Sequence, residues 1–266
     1  MSFVQSPDGT LLRVVARGPA DGNVIVLVHG WKQSHRLFDQ AIHRLSATNR
    51  VVAYDQRGMG ESDKPDLPYD FETLGSDLHA ILEWARVDSA VVVGWSMGCT
   101  TTLTALSQNP DPFRGIVLVN GPLRLTTEDG FPWALHEEEL SEYIDGMELA
   151  WPADQREFLK RSVLPHNEGC LPLLEQIALQ TPLYAALALV REQARVDHRK
   201  TVESSDVPIL AAYSNRDPYW PIELAHWIAE NAPQGYVHTF KDSAHCAPLE
   251  EPAEFCRVIR EFSDRC

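Results

Sequence analysis

The sequence predicts an α/β protein with a mostly parallel central sheet, helices on both faces and an inserted helical cap. Three observations carry that expectation: short apolar runs recur without polar alternation, segments of helical period lie between them, and one long interval interrupts the alternation with helical patterns alone.

In chain order, the opening residues alternate in strand fashion, turn at Asp8-Gly9 and resume from Leu11 to Ala16, which predicts an N-terminal hairpin. Val24–Val28, Val51–Tyr54, Val91–Val93, Ile116–Val119, Ile209–Ala212 and Tyr236–Phe240 then have the character of strands covered on both faces. Helical spacing falls at about 35–46, 71–86, 97–108, 221–231 and 252–262. Right-handed crossovers follow from this alternation, and ligand sites in such sheets form beyond the carboxyl ends of the strands. From about Pro122 to Ser205 there is no convincing strand. Helical patterns run instead through Ala134–Met147, Ala153–Val163, Leu171–Leu179 and Leu183–Val196, punctuated by Pro132, Pro152, Pro165, Pro172 and Pro182. The expected organisation is an α/β core of residues 1–121 and 206–266 with a helical cap at 122–205.

With 266 residues, 44% of them apolar and 23% charged, the chain can bury one sizeable core and an inserted subdomain. Thirty-eight acidic against 23 basic side chains give a net charge of −15, which repels polyanions and argues against nucleic acid as a partner. No stretch approaches the roughly 18–20 apolar residues of a membrane span, and the N-terminus has no signal-peptide pattern. Five cysteines are odd in number and lack zinc-site spacing, so a soluble protein of the reducing cytoplasm is expected. The oligomeric state stays open.

The sharpest chemical signal is Gly94-Trp95-Ser96-Met97-Gly98, directly after one buried run and directly before a helical stretch. A strand-turn-helix context holds such a serine on a strained elbow, and the following helix aims its unpaired N–H groups at a developing oxyanion. Three further strings accompany the elbow: His29-Gly30-Trp31 after Val24–Val28, Asp55-Gln-Arg-Gly-Met-Gly-Glu-Ser62 after Val51–Tyr54, and Ser243-Ala-His245-Cys-Ala-Pro248 after the last run. On these residues the chain resembles the α/β-hydrolase superfamily over nearly its whole length, with small bacterial esterases, haloperoxidase-like enzymes and C–C hydrolases nearest in character.

The resemblance implies a triad. A serine of ordinary acidity needs a base within hydrogen-bond reach, and His245 comes from a loop at the same sheet edge, with His29 its main rival. Asp217, in Ser214-Asn-Arg-Asp217-Pro218, lies between nucleophile and base in chain order. Some family members carry the acid after the preceding strand, but here that place holds Asn120, which cannot supply a negative charge. The family's oxyanion hole maps onto the backbone N–H groups of Trp31 and Met97. Trp95, Trp133, Trp151, Tyr143 and His35 are candidates to contact a small-molecule substrate. Neither metal nor organic cofactor is implied. Ser96 in place of aspartate at the elbow argues against haloalkane dehalogenase and epoxide hydrolase relatives.

The expected activity is hydrolysis of an ester, lactone or C–C bond in a small to medium apolar or aromatic substrate, through an acyl-enzyme. Two other readings stay open. His29-Gly30-Trp31 with the following His35-Arg36 resembles the loop of cofactor-free dioxygenases that cleave quinolone rings with the histidine as base, although Trp95 and Met97 flank Ser96 where those enzymes carry histidines. Some proteins of this fold, moreover, only bind ligands.

Overall fold

Hydrophobic runs with no polar face should be buried from both sides, and the sheet is built that way. The computed structural model describes residues 2–86, 89–128, 130–153 and 155–266. Met1, Val87, Asp88, Asp129 and Asp154 lie outside them, so the helix expected through Ala153–Val163 is compared from Gln155 onward. Among the described residues, eight strands form one sheet: β1 (Ser2–Gln5), β2 (Leu11–Arg17), β3 (Val24–Val28), β4 (Arg50–Tyr54), β5 (Ala90–Trp95), β6 (Phe113–Val119), β7 (Ile209–Ser214) and β8 (Gly235–Phe240). Their spatial order is β1-β2-β4-β3-β5-β6-β7-β8. The first two strands form the expected antiparallel hairpin, β2 pairs antiparallel with β4, and every other pairing is parallel.

Side chains of period two divide between the two faces of the sheet. Val26, Val28, Val92, Ile116 and Leu118 pack with α2 (Phe71–Trp84) and α3 (Met97–Gln108) through Leu78, Ile81 and Leu103. Ile25, Leu27, Val91, Val93 and Val117 point the other way, onto Ile42 of α1 (Asp39–Leu45) and onto Phe255 and Ile259 near the C-terminus. Where polar side chains close the helices, they do so locally: the Asp70 carboxylate caps α2 by accepting from the Thr73 N–H at 2.8 Å.

Between β6 and β7 the chain forms α4 (Glu137–Ala150), α5 (Gln155–Arg161), α6 (Leu171–Ala178), α7 (Leu183–Gln193) and α8 (Arg199–Ser204). α4 begins three residues later than the periodicity predicts. Leu135 is held by its N–H to the Leu125 carbonyl at 3.0 Å, and Glu139 reaches back to the His136 N–H at 2.9 Å, which sets the helix start. The short α8 and the 3₁₀ turn Pro165–Cys170 escape sequence reading because they are too brief to show a period. Extended pairing among the insert's described residues is confined to the bridges Thr126–Leu135 and Glu128–Phe131. Leu140, Met147 and Leu187 join one core cluster of the sheet, and Leu159, Leu171 and Leu174 the other, so the insert shares the core of the sheet.

The chain closes with α9 (Ile222–Asn231), α10 (Ala247–Glu250) and α11 (Pro252–Arg265). Among the described residues no single helix is long and apolar enough to cross a membrane; one pair, Pro165–Ala178 with Leu183–Gln193, has the combined length and composition but is bent by 101°.

Candidate active site

Ser96 sits between β5 and α3 with φ 56° and ψ −124°, a left-handed strained conformation for a residue with a side chain. The turn is locked from both ends: the Ser96 N–H donates to the Val119 carbonyl at 2.9 Å, and the Ser96 carbonyl accepts from the Cys99 N–H at 2.9 Å. Gly98 lets α3 approach β3, since a Cβ there would lie 2.2 Å from the Val28 carbonyl oxygen. Gly30 has a similar reason, because its Cβ would stand 2.8 Å from that of Ser96. The Gly30-Trp31 backbone therefore runs in contact with the serine. Met97 opens α3, so its N–H has no acceptor inside the helix.

From Ser96 a continuous hydrogen-bonded line leads across three loops at one sheet edge. His245 Nε2 lies 2.9 Å from Ser96 Oγ, and His245 Nδ1 lies 2.8 Å from Asp217 Oδ2. The second carboxylate oxygen of Asp217 accepts from the N–H groups of Tyr219, at 2.8 Å, and Trp220, at 3.3 Å. These bonds assign the Nδ1 proton to the side facing the carboxylate and leave Nε2 as acceptor for the serine hydroxyl.

His245 is also held by residues outside that line. Its ring lies between Trp95, with centroids 5.1 Å apart, and the edge of Tyr219 at 4.9 Å. Its carbonyl accepts from Trp95 Nε1 at 2.7 Å and from Asn120 Nδ2 at 3.0 Å. Asn120, with φ 46° and no exposed surface, also donates to the Ala244 carbonyl at 3.2 Å and to Ser214 Oγ at 2.9 Å, while its Oδ1 accepts from the Ser214 N–H at 2.7 Å. The asparagine at the alternative acid position thus ties together the loops that carry Asp217 and His245. The phenol of Tyr219 reaches the insert, donating to the Phe158 carbonyl at 3.1 Å and lying 3.2 Å from Ser162 Oγ. Burial pushes that phenol up to about 12.

His29 is fully buried, with Nδ1 2.8 Å from the Gly30 carbonyl and Nε2 accepting from the Gln56 N–H at 3.0 Å. Both nitrogens are occupied, and burial lowers the imidazole to about 4. It serves the loop as a neutral strut, bonded to Gly30 and Gln56 and, among the described residues, not to Ser96.

A cavity of about 40 Å³ surrounds the serine, lined by Trp31, Gln33, Trp95, Ser96, Phe158, Leu159, Ser162, Leu174, His245 and Cys246. Of the residues expected to contact substrate, Trp95 lines it and four do not. Tyr143 packs behind Trp31 and Phe158, with centroids 6.0 and 5.8 Å away. Trp151 lies 5.6 Å from the ammonium of the buried Lys32, whose Nζ also donates to Gln155 Oε1 at 2.6 Å. Trp133 is turned onto Phe131 and onto Trp227 of α9. His35 is corrected most plainly: its backbone N–H and Nδ1 both meet Asp55 Oδ1 at 2.7 Å, which makes it part of the Asp55 turn. Burial raises the Asp55 carboxyl, but the hydrogen bonds it accepts from His35 and from the Glu61 N–H win and hold it below its ordinary value.

Sequence reading missed Phe158, Leu159, Ser162 and Gln33 at the cavity and Tyr219 beside the histidine. Tyr219 had a usable signal, lying two residues beyond Asp217 in the same loop. The insert residues had none, because which side of a short helix faces the serine depends on how the insert docks.

Residues 23–252 match the α/β hydrolase fold family. The chain is 25% identical over 251 residues to the AB hydrolase superfamily protein YisY of Bacillus subtilis (strain 168), a match covering 91% of this chain and 92% of the relative. It is 25% identical over 245 residues to the pimeloyl-acyl-carrier protein methyl ester esterase of Neisseria meningitidis serogroup A, covering 90% of this chain and 76% of that protein. Among solved structures, an esterase from Exiguobacterium antarcticum superposes with a TM-score of 0.93 at 23% identity, over 99% of each chain.

Proposed function

Because the chain belongs to the α/β hydrolase fold family, we propose that it is a serine esterase acting on a small to medium carboxylic ester or lactone with an apolar or aromatic portion. One observation carries the reading: the line from Ser96 Oγ through the His245 ring to Asp217, with both hydrogen bonds within 3 Å. In this mechanism His245 Nε2 takes the Ser96 proton as Oγ attacks the carbonyl carbon, and Asp217 stabilises the resulting imidazolium. The N–H groups of Trp31 and Met97 hold the oxyanion, each worth roughly 3 kcal/mol at the transition state. Collapse breaks the bond to the leaving alkoxide, which takes the proton from His245. Water, deprotonated by the same nitrogen, then attacks the acyl-enzyme, and Ser96 leaves with its proton restored.

Trp31, Trp95, Phe158, Leu159 and Leu174 support the apolar preference. A cavity of about 40 Å³ is too small for an ester of that size, so the insert acts as a cap whose α5 and α6 shift to admit substrate. Ser96→Ala tests the reading. Turnover of aryl esters is expected to fall by at least about 10³-fold, and covalent labelling by a serine-directed phosphonate to vanish. A variant that keeps its activity and consumes oxygen with alkylquinolones would overturn the proposal in favour of ring cleavage.

A further inference from the structure

One residue lining the cavity around Ser96 carries a buried polar atom with no hydrogen-bond partner among the described residues. Gln33 is 2% exposed and lines the cavity alongside Trp31 and Trp95. Its Oε1 is shut away from solvent and has no hydrogen-bond partner among the described residues. The other polar side chains there are engaged: Ser96 with His245, His245 also with Asp217, and Ser162 with the Phe158 carbonyl and the Tyr219 phenol.

Nor is Gln33 on a loose segment. Its own N–H donates to the Gly30 carbonyl at 3.3 Å, and Lys32 before it holds a left-handed φ of 55° with its ammonium 3.7 Å from the Trp31 ring centre. A buried amide oxygen without a donor is costly to keep, and at a fixed position beside a nucleophile it is completed when a ligand brings the donor.

We propose that Gln33 selects substrates whose acyl portion carries a hydrogen-bond donor, a hydroxyl or an amide N–H, close to the scissile carbonyl. The Oε1 atom accepts that hydrogen, while Trp31, Trp95 and Leu174 cover the apolar remainder. The preferred substrate is thus a hydroxyacyl or amidoacyl ester or lactone rather than a plain alkyl ester. This inference rests on the serine-esterase reading, and it adds a requirement that the triad alone does not impose.

The test compares the methyl esters of butyric, 2-hydroxybutyric, 3-hydroxybutyric and acetoacetic acids by pH-stat, each rate divided by that of alkaline hydrolysis to remove intrinsic reactivity. A site built around an unpaired acceptor discriminates strongly against an analogue lacking the donor. The wild-type protein is expected to favour at least one hydroxy ester over methyl butyrate by about tenfold or more in kcat/KM, with no gain for the acetoacetate. Gln33→Leu should bring the ratio of hydroxy-ester to methyl butyrate kcat/KM down to about one, whatever it does to the absolute rates, and Gln33→Met serves if the leucine variant does not fold. An equal preference in wild type and variant, a uniform loss across all four esters, or a preference for the acetoacetate overturns the inference. If turnover is too slow to follow, the four esters are compared as protectors of Ser96 against the phosphonate, with the same ranking expected. If Ser96 takes up no phosphonate in the folded protein, the esterase reading itself fails and this one falls with it, an outcome distinct from a labelled serine that ignores the hydroxyl.

Discussion

Asn120→Asp converts the buried amide under the histidine loop into the carboxyl that some relatives place at the end of this strand. Its Nδ2 now donates to the carbonyls of Ala244 and His245 at 3.2 and 3.0 Å. An ionised carboxylate would set oxygen against oxygen at both contacts, and a protonated one could serve only one of them. Losing one or two buried donors at about 1 kcal/mol each, with a further unsatisfied acceptor of about 1–3 kcal/mol, amounts to roughly 3 kcal/mol. At about 2–4 °C per kcal/mol, Tm should fall by roughly 6–12 °C. Full burial and the two facing carbonyls outweigh the one Ser214 N–H donor, so the new carboxyl titrates above the value of about 3.9 that it has in the unfolded chain, and the variant loses stability as pH rises, with a larger deficit at pH 8 than at pH 5. Thermal unfolding at the two pH values measures this, and ester turnover shows whether the displaced His245 still works. Adding Asn120→Asp to Asp217→Asn should not restore activity, because the carboxyl at 120 faces backbone carbonyls and not the imidazole. A variant within 2 °C of wild type, or a double variant that recovers a tenth of the activity, would refute the reasoning.

Other expectations follow from the same geometry. Tyr219→Phe removes the phenol's bonds to α5 but keeps the ring against His245, so kcat should fall only a few-fold, at a stability cost of about 1 kcal/mol; Tyr219→Ala should lower kcat at least tenfold, and an unchanged kcat in the alanine variant would show that the ring does not position the base. Burial lowers His29 and His198 to about 4, below the value of about 6.5 in the unfolded chain. The unfolded state therefore takes up protons first, and stability complete above about pH 6.5 is lost as pH falls toward 4, on the order of 3 kcal/mol per histidine. Urea midpoints at pH 7.5, 5.5 and 4.5 should decline, and less so in His198→Gln; a flat series would contradict the assignment. Burial also pushes the Cys99 and Cys246 thiols well above their ordinary value. Iodoacetamide at pH 8 should spare both and leave activity intact, with any alkylation confined to the half-buried Cys170 and Cys266; rapid modification at Cys246 with loss of activity would argue for an open cavity.

Much of this arrangement was legible in the residues alone. Runs such as Val24–Val28 admit few readings other than a covered strand, and the loops holding Ser96, Asp217 and His245 were each recognisable from a short string beside such a run. What the sequence did not show is direction. His35 sits four residues from Trp31, yet the 3₁₀ turn His35–Phe38 that it opens hands it to Asp55. Trp133 is as apolar as a pocket wall should be, but it spends its surface on Phe131 and Trp227. Phe158 has basic and acidic neighbours in Gln155-Arg-Glu-Phe158-Leu-Lys-Arg161, and only the docking of α5 onto the sheet brings it to the serine. Asn120 shows in the sequence only the charge it lacks, whereas the three acceptors that share its amide N–H groups and the one bond its oxygen accepts are visible only once two distant loops converge on it.

Trp31 belongs to two machines at once. Its backbone runs beside Ser96, while its indole N–H donates to the Ala186 carbonyl of α7 at 3.0 Å and its ring meets Phe158 of α5 edge-on at 5.8 Å. In the proposed mechanism a shift of α5 or α7 that widens entry also tugs on a donor to the oxyanion. Breadth of substrate and speed of turnover then draw on a single hinge of tryptophan. Laboratory evolution toward bulkier esters should accordingly find its first gains in insert positions that leave this contact alone, and changes at Ala186 or Phe158 should trade catalytic rate for reach.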